Sequence, residues 1–401
     1  MMKTFVFFLK WIISQALSLI AVLTAPFEKH VYAICGPDDT GKINKDDFTD
    51  IDQRYLPAGF RIDFLRNYRI VNNRFNFYYQ TAHEKRLKTL REKYKLSQIC
   101  MSAKNEFEEM LILMNWTRGR FANFEYQPVY GEFDGLRILD ENRHDIHSYI
   151  PYRTYSTCHM LGFLYVQLLL AMGFQARSLS IYKGADLDRK GIHCIAEAWS
   201  ELFKKWILLD PFLNIYYEKD GIPLNALEFH NTRYIGLGGI KVVSQDKGAS
   251  LKGFSLEQLL KFYTYIRMEF RNDWMTNHYY RGHPKRSDKI SIWWLDNNLP
   301  LPRTLSPKTC DPADIYWPLN RTEILIKKST LGNGKNLELL FRTVTPNFRS
   351  FEVTIDEIKR AYNKEPFFRW HLHKGDNKIS VAAVNEHDRK GVASEVVISK
   401  G

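Results

Sequence analysis

Between Met160 and Met172 only Gly162 and Gln167 are not apolar, so this segment has no polar face to offer water. A stretch apolar all round predicts a helix in the middle of a domain. Ser156 and Thr157 are good N-cap residues at its start, and Gly173 is a left-handed terminator at its end. Around it the period alternates between 3.6 and 2. Residues 103–117 predict an amphipathic helix with Phe107, Met110, Leu111 and Met114 on one face, and 82–100 a charged, exposed one. Residues 256–270 predict a helix behind the Ser255 cap, with Leu259, Leu260, Tyr263 and Ile266 on its buried face. Strand-like runs cover 174–182, 192–200 and 206–210, the last two joined by a short polar turn. Residues 214–230 are expected to complete the same sheet, and 123–148 reads as a long loop.

After residue 321 the texture changes. Six short β-rich runs separated by turn residues such as Gly332-Asn333-Gly334 predict a β-sandwich. The fold class is therefore α+β, with a buried helix packed on an antiparallel sheet and a C-terminal all-β sandwich. The division expected is 1–25 as a leader or anchor, 26–250 as the first domain (core about 103–230) with irregular chain over 26–76, 251–320 as a helical, aromatic-rich connection, and 321–401 as the sandwich. In the first segment Lys3 and Lys10 flank an apolar run from Trp11 to Ala25. That is the pattern of a signal peptide or of an uncleaved membrane anchor, with a buried core helix as the bland alternative.

Composition changes this picture in two places. The net charge is +12, and ten of the basic residues crowd into 61–95 against Asp63, Glu84 and Glu92. No nucleic-acid motif accompanies them, so the reading is a solvated basic surface and no nucleic-acid partner is expected. The five cysteines (Cys35, Cys100, Cys158, Cys194 and Cys310) form no C-x-x-C pair and have no zinc spacing, so neither a metal nor another cofactor is expected. His144 and His147 lack a completing carboxylate or thiol and are read as loop residues. The glycines of 236–239 do not form a phosphate loop.

Cys158 stands where the N-terminus of the apolar helix favours a thiolate, which makes it either a poised nucleophile or a small buried hydrophobe. Downstream, a tight hairpin brings the start of its first strand beside the end of its second, the positions of His193 and Asp210. Strand alternation points His193 and Cys194 to opposite faces, leaving Cys194 as an inert packing thiol.

The sequence Cys158 at a helix start, Gly173-Phe-Gln-Ala-Arg177 at a strand entry, His193-Cys-Ile-Ala-Glu197 on a strand and Trp206-Ile-Leu-Leu-Asp-Pro211 on the next resembles the transglutaminase-like superfamily over about residues 105–211. Ile195 departs from the pattern, since many members carry an aromatic there. The resemblance implies a papain-like thiol mechanism: Cys158 as nucleophile, His193 as general base and then acid, Asp210 orienting the imidazole, and the helix-start amide of Cys158 as oxyanion donor. Trp116 and Tyr155 are the candidates for a further oxyanion group. The C-terminal runs resemble bacterial Ig-like or fibronectin-type modules.

The expected function is that of an exported enzyme, periplasmic or extracellular and associated with a membrane if 1–25 is retained. It would form a thioester on a peptide, protein or cell-wall amide that water then resolves. Two alternatives stand beside it. One is a glutamine acyltransferase; the other is a non-catalytic binding or adhesion protein that uses the same domain as a scaffold.

Overall fold

A computed structural model describes residues 50–70, 74–120, 134–141, 157–185, 191–245, 254–276, 291–304, 306–327 and 336–400. The leader or anchor over 1–25, His144, His147 and Tyr155 lie outside these residues.

The fold is mixed helix and sheet, mostly sheet. Strand β1 (Phe60–Arg66) precedes helices α1 (Lys85–Lys93), α2 (Leu96–Ile99), α3 (Glu106–Gly119), α4 (Gly135–Glu141) and α5 (Thr157–Ala171). Next come β2 (Ala176–Tyr182), β3 (Ile192–Ser200), β4 (Lys205–Leu209), β5 (Ile215–Lys219), β6 (Ile222–Pro223), α6 (Ala226–Ile235), β7 (Ile240–Ser244) and α7 (Leu256–Phe262). Strands β8 (Tyr265–Glu269), β9 (Ser291–Trp294) and β10 (Lys308–Thr309) follow, then β11 (Thr322–Lys327), β12 (Asn336–Thr343), β13 (Phe348–Ile355), β14 (Lys359–Asn363), β15 (Phe367–His371), β16 (Gly375–Asn385) and β17 (Ser394–Lys400).

A six-stranded sheet in the order β10-β9-β8-β2-β3-β4 divides two apolar layers. On one face, α5 packs with α1 and α3 over Ala176, Ala196 and Ala198. On the other, α6 and α7 pack over Leu179, Ile181, Ile195 and Trp206. The alternation explains the division. Strands β2 and β3 turn small side chains toward α5 (Ala176, Ser178, Ser180; Cys194, Ala196, Ala198), and these let a helix of bulky residues lie close. Leu161, Leu164, Val166, Leu168 and Leu169 of α5 are all fully buried. Its end is a Schellman turn: Phe174 donates to the Leu169 carbonyl and Gly173 to the Leu170 carbonyl, both at 3.0 Å. Gly173 holds φ +83°, and a Cβ there would stand 2.4 Å from the His387 Cβ, so both backbone and space require glycine.

Several expectations are corrected. The 82–100 helix is two helices, and Leu87, Leu90 and Leu96 are buried in the α5 layer rather than solvated. Within 123–148, residues Gly135–Glu141 are helical; Gly135 donates to the Gln167 side chain of α5 at 2.5 Å. The helix expected over 256–270 stops at Phe262, and the chain then pairs as β8 against β2. Residues 251–320 are accordingly not a connection, because β8, β9 and β10 belong to the central sheet. Strands β5, β6 and β7 instead form a small sheet of their own, ordered β6-β5-β7.

Two further sheets, β11-β12-β15 and β1-β17-β16-β13-β14, share one apolar cluster that includes Ile324, Leu339, Phe341, Val353, Val381 and Ile398. The stretch expected to be irregular thus supplies an edge strand, β1, paired antiparallel with the C-terminal β17. These sheets also grip the α5 layer. Arg389 donates to the Met172 carbonyl at 3.1 Å and to Glu109 at 2.8 Å, with its guanidinium over the Phe174 ring.

Candidate active site

Cys158 lies in the first turn of α5 and is 5% exposed. Strand β3 brings His193 beside it as the second residue of the strand, close enough for each to shift the titration of the other. The other side of the ring is held by Asp210, with His193 Nε2 at 2.7 Å from Asp210 Oδ2. The register pairs Ala196 with Leu209, so Asp210 continues the strand opposite Ile195, one same-face step from His193. The hairpin therefore delivers the two residues diagonally rather than directly opposite.

Asp210 is 1% exposed and is fixed from every side. Its Oδ1 accepts the backbone N–H groups of Phe212 and Leu213, each at 3.0 Å. Its own backbone exchanges hydrogen bonds with Ile215 at 2.9 and 3.2 Å. A carboxylate so held cannot swing away, and it fixes the ring that it binds. The edges of Phe212 and Phe262 flank that ring at 5.6 and 6.0 Å, limiting water.

The electrostatics follow from this enclosure. Burial pushes the Cys158 thiol up, but hydrogen bonds and charge from His159 and His193 outweigh it and hold the thiol well below its ordinary value. Burial likewise disfavours a charged His193. The carboxylate of Asp210, together with the Cys158 sulfur, more than offsets that and holds the imidazole well above its usual range. Both shifts run in the direction that favours a thiolate beside an imidazolium. Cys100, also reduced and buried, behaves oppositely: burial and Glu109 push it up to about 11.

Three residues in two places escaped the reading of the sequence. His159 follows Cys158 directly, its ring 6.1 Å from that of Phe163, and it helps to hold the Cys158 thiol down. The adjacency is a visible signal, but nothing local tells which face the ring takes. Cys194 does face α5, opposite to His193, with Ser180 Oγ at 3.6 Å. The other case is Arg177 with Glu197, both fully buried and joined at 2.6 and 3.0 Å. Arg177 stacks on Trp206 at 4.0 Å and donates to the Ile315 carbonyl at 2.5 Å, while Glu197 Oε1 accepts from Ala226 N–H and the Tyr316 hydroxyl. This pair ties the sheet to α6 and to the 312–320 segment, behind the site rather than in it.

Trp116 stands with its ring edge against Tyr94 and Arg120 over its face, within the α5 layer. Trp274, Trp293 and Trp317 of the aromatic-rich region are buried in packing. Among the described residues no group of three or more His, Cys, Asp or Glu side chains could hold a metal ion. Nor is any described helix long and apolar enough to cross a membrane.

No protein-family model matches the chain, and no curated protein does. Among solved structures it is similar to the crystal structure of red sea bream transglutaminase, with a TM-score of 0.25 and 10% identity. The alignment covers 79% of this chain and 72% of that one. The reading of the site accordingly rests on its own geometry.

Proposed function

We propose that the chain is an exported thiol enzyme of transglutaminase-like type, with Cys158 as nucleophile, His193 as acid and base, and Asp210 as the residue that orients the ring. The observation that carries this reading is the 2.7 Å contact of His193 Nε2 with the buried Asp210 carboxylate, on a ring that acts on Cys158 at the start of α5.

In the first step the Cys158 thiolate attacks the carbonyl carbon of an amide. His193 gives its proton to the departing nitrogen, the C–N bond breaks and a thioester remains. The neutral imidazole then takes a proton from water as that water attacks the thioester. The C–S bond breaks, releasing a carboxylic acid and restoring the thiolate. An amine in place of water gives transamidation through the same intermediate. Hydrolysis is preferred because water is abundant and no feature among the described residues selects an amine. Peptide, protein and cell-wall amides share the required carbonyl. Export is supported by the pattern of residues 1–25. The C-terminal sheets, with their common apolar cluster, suit an Ig-like sandwich held against the catalytic part by Arg389.

The test is acylation with p-nitrophenyl acetate, quenched in acid and mapped by mass. Wild-type protein is expected to show a burst of about one nitrophenolate per chain and acetyl on Cys158. The burst should be absent from Cys158→Ala and slowed at least about tenfold in His193→Ala. Loss of the trapped acetyl to water, unchanged by added amine, assigns hydrolysis; an amide product assigns transfer. A full-length chain that gives no burst, or gives one undiminished in Cys158→Ala, returns the chain to the scaffold reading.

A further inference from the structure

The face of the central sheet that carries His193 also carries Lys183. Ile181 of β2 lies directly opposite His193, and Lys183, two residues on, takes the same face. Its backbone N–H donates to the Gly191 carbonyl at 3.0 Å, which extends the β2–β3 ladder by one step and fixes Lys183 diagonally from the histidine. A Cβ at Gly191 would lie 3.4 Å from the Lys183 Cβ, so the glycine opposite leaves room for the lysine stem. That stem runs to Phe262 at the end of α7, with Nζ 3.7 Å from the ring centroid. The same ring stands 6.0 Å from the His193 ring, edge to face. The two contacts in series hold the ammonium within about 10 Å of the imidazole, close to the screening length in about 0.1 M salt.

Lys183 is exposed, and among the described residues no carboxylate pairs with it. Asp210 cannot serve, because it is buried and committed to the His193 ring and to two backbone N–H groups. We propose that Lys183 is a specificity-determining residue, and that the enzyme prefers amides with a carboxylate flanking the scissile bond, as acidic peptides carry. The contact with Phe262 orders the ammonium at the side of the site while using none of its N–H groups, so an incoming carboxylate meets donors that it need not free from another anion. A neutral chain gains nothing there, and a cationic one is repelled.

The proposal rests on Cys158 as the nucleophile, and the experiment separates the two. Two pairs of esters are followed by nitrophenolate release in the full-length chain, with acylation of Cys158 confirmed by peptide mass. On the acyl side, the mono-p-nitrophenyl ester of terephthalic acid, its second carboxyl free, is set against the same ester with that carboxyl as its amide. On the leaving side, p-nitrophenyl acetate bearing a ring carboxylate is set against p-nitrophenyl acetate itself. Each rate is divided by that of the same ester with N-acetylcysteine, which removes intrinsic reactivity. Wild type is expected to favour the anionic ester of at least one pair by about three- to fivefold, the scale of an exposed ion pair. That preference should vanish in Lys183→Met, persist in Lys183→Arg and shrink in high salt. A lysine that only packs on Phe262 would change both members of a pair alike and leave the ratios in place. Acylation of Cys158 with no anionic preference in either pair, or with a preference unmoved in Lys183→Met, overturns the role of Lys183 and leaves the nucleophile standing. Failure of every ester to acylate Cys158 overturns the reading beneath it.

Discussion

At the scale of the residue, the proposed site encloses groups of opposite charge together. Burial alone favours neutral Cys158 and His193; their proximity, with Asp210 behind, shifts both toward the charged forms. Asp210→Asn keeps the shape of the carboxylate and its backbone contacts but removes the charge. Because the pKa of His193 is raised in the folded chain, its stabilisation is fully present below about pH 6.5 and is lost as pH rises through the folded value. Asp210→Asn should therefore destabilise the protein most at acid to neutral pH, with the gap in urea midpoint narrowing on the alkaline side; a gap that widens there contradicts the pairing. Cys158, His193 and Asp210 were legible because a helix start, a strand start and a strand end are marked by their neighbours. Arg177 and Glu197 stood in the motif without a role that sequence could assign. Their contact is between strands twenty positions apart and was visible only once β2 and β3 were paired. Cutting Arg177 to Met leaves Glu197 buried without its cation, and a loss of about 3–5 kcal/mol is expected in urea unfolding.

At the scale of the element, α5 was readable because its composition is extreme and Gly173 marks its end. Leu164→Ala removes a fully buried side chain from the middle of that layer and should cost about 2–5 kcal/mol without moving the pH profile of Cys158. A shifted profile would mean that the body of the helix, and not only its first turn, shapes the site. The failure at β8 has a plain cause. Leu259, Leu260, Tyr263 and Ile266 satisfy a helical period, while Tyr265, Ile266, Arg267 and Met268 alternate just as well. The open edge of β2 decides between them, and no local pattern contains that edge. Strand β1 was missed for a stronger form of the same reason, since its partner β17 lies more than three hundred residues along the chain.

At the scale of the molecule, four of the ten basic residues of 61–95 hold partners on other elements. Arg66 pairs with Glu395, Arg74 with Asp314, Arg86 with Asp134 and Lys93 with Asp140. These contacts join elements far apart in sequence, which is why the stretch reads as a surface field from composition and as a set of clasps in three dimensions. The C-terminal sheets are bound to the rest through β1 and through Arg389, which caps the α5 terminus at the Met172 carbonyl. Arg389→Ala is expected to lose about 2 kcal/mol in urea unfolding, the scale of hydrogen bonds from a charged group. An unchanged midpoint would mean that the docking is carried by other contacts, such as those of Asn347 with Gln80 and Ala82.

All of these scales converge on one property, a thiolate prepared at Cys158 before any substrate arrives. The direct measurement is competition between thiols in the native full-length chain. Limiting iodoacetamide is added near pH 6, where an ordinary thiol is less than about one per cent ionised, and the adducts on Cys100, Cys158 and Cys194 are counted by peptide mass. Labelling confined to Cys158 and abolished by prior unfolding is the result predicted. Equal, slow labelling of the three cysteines would contradict it.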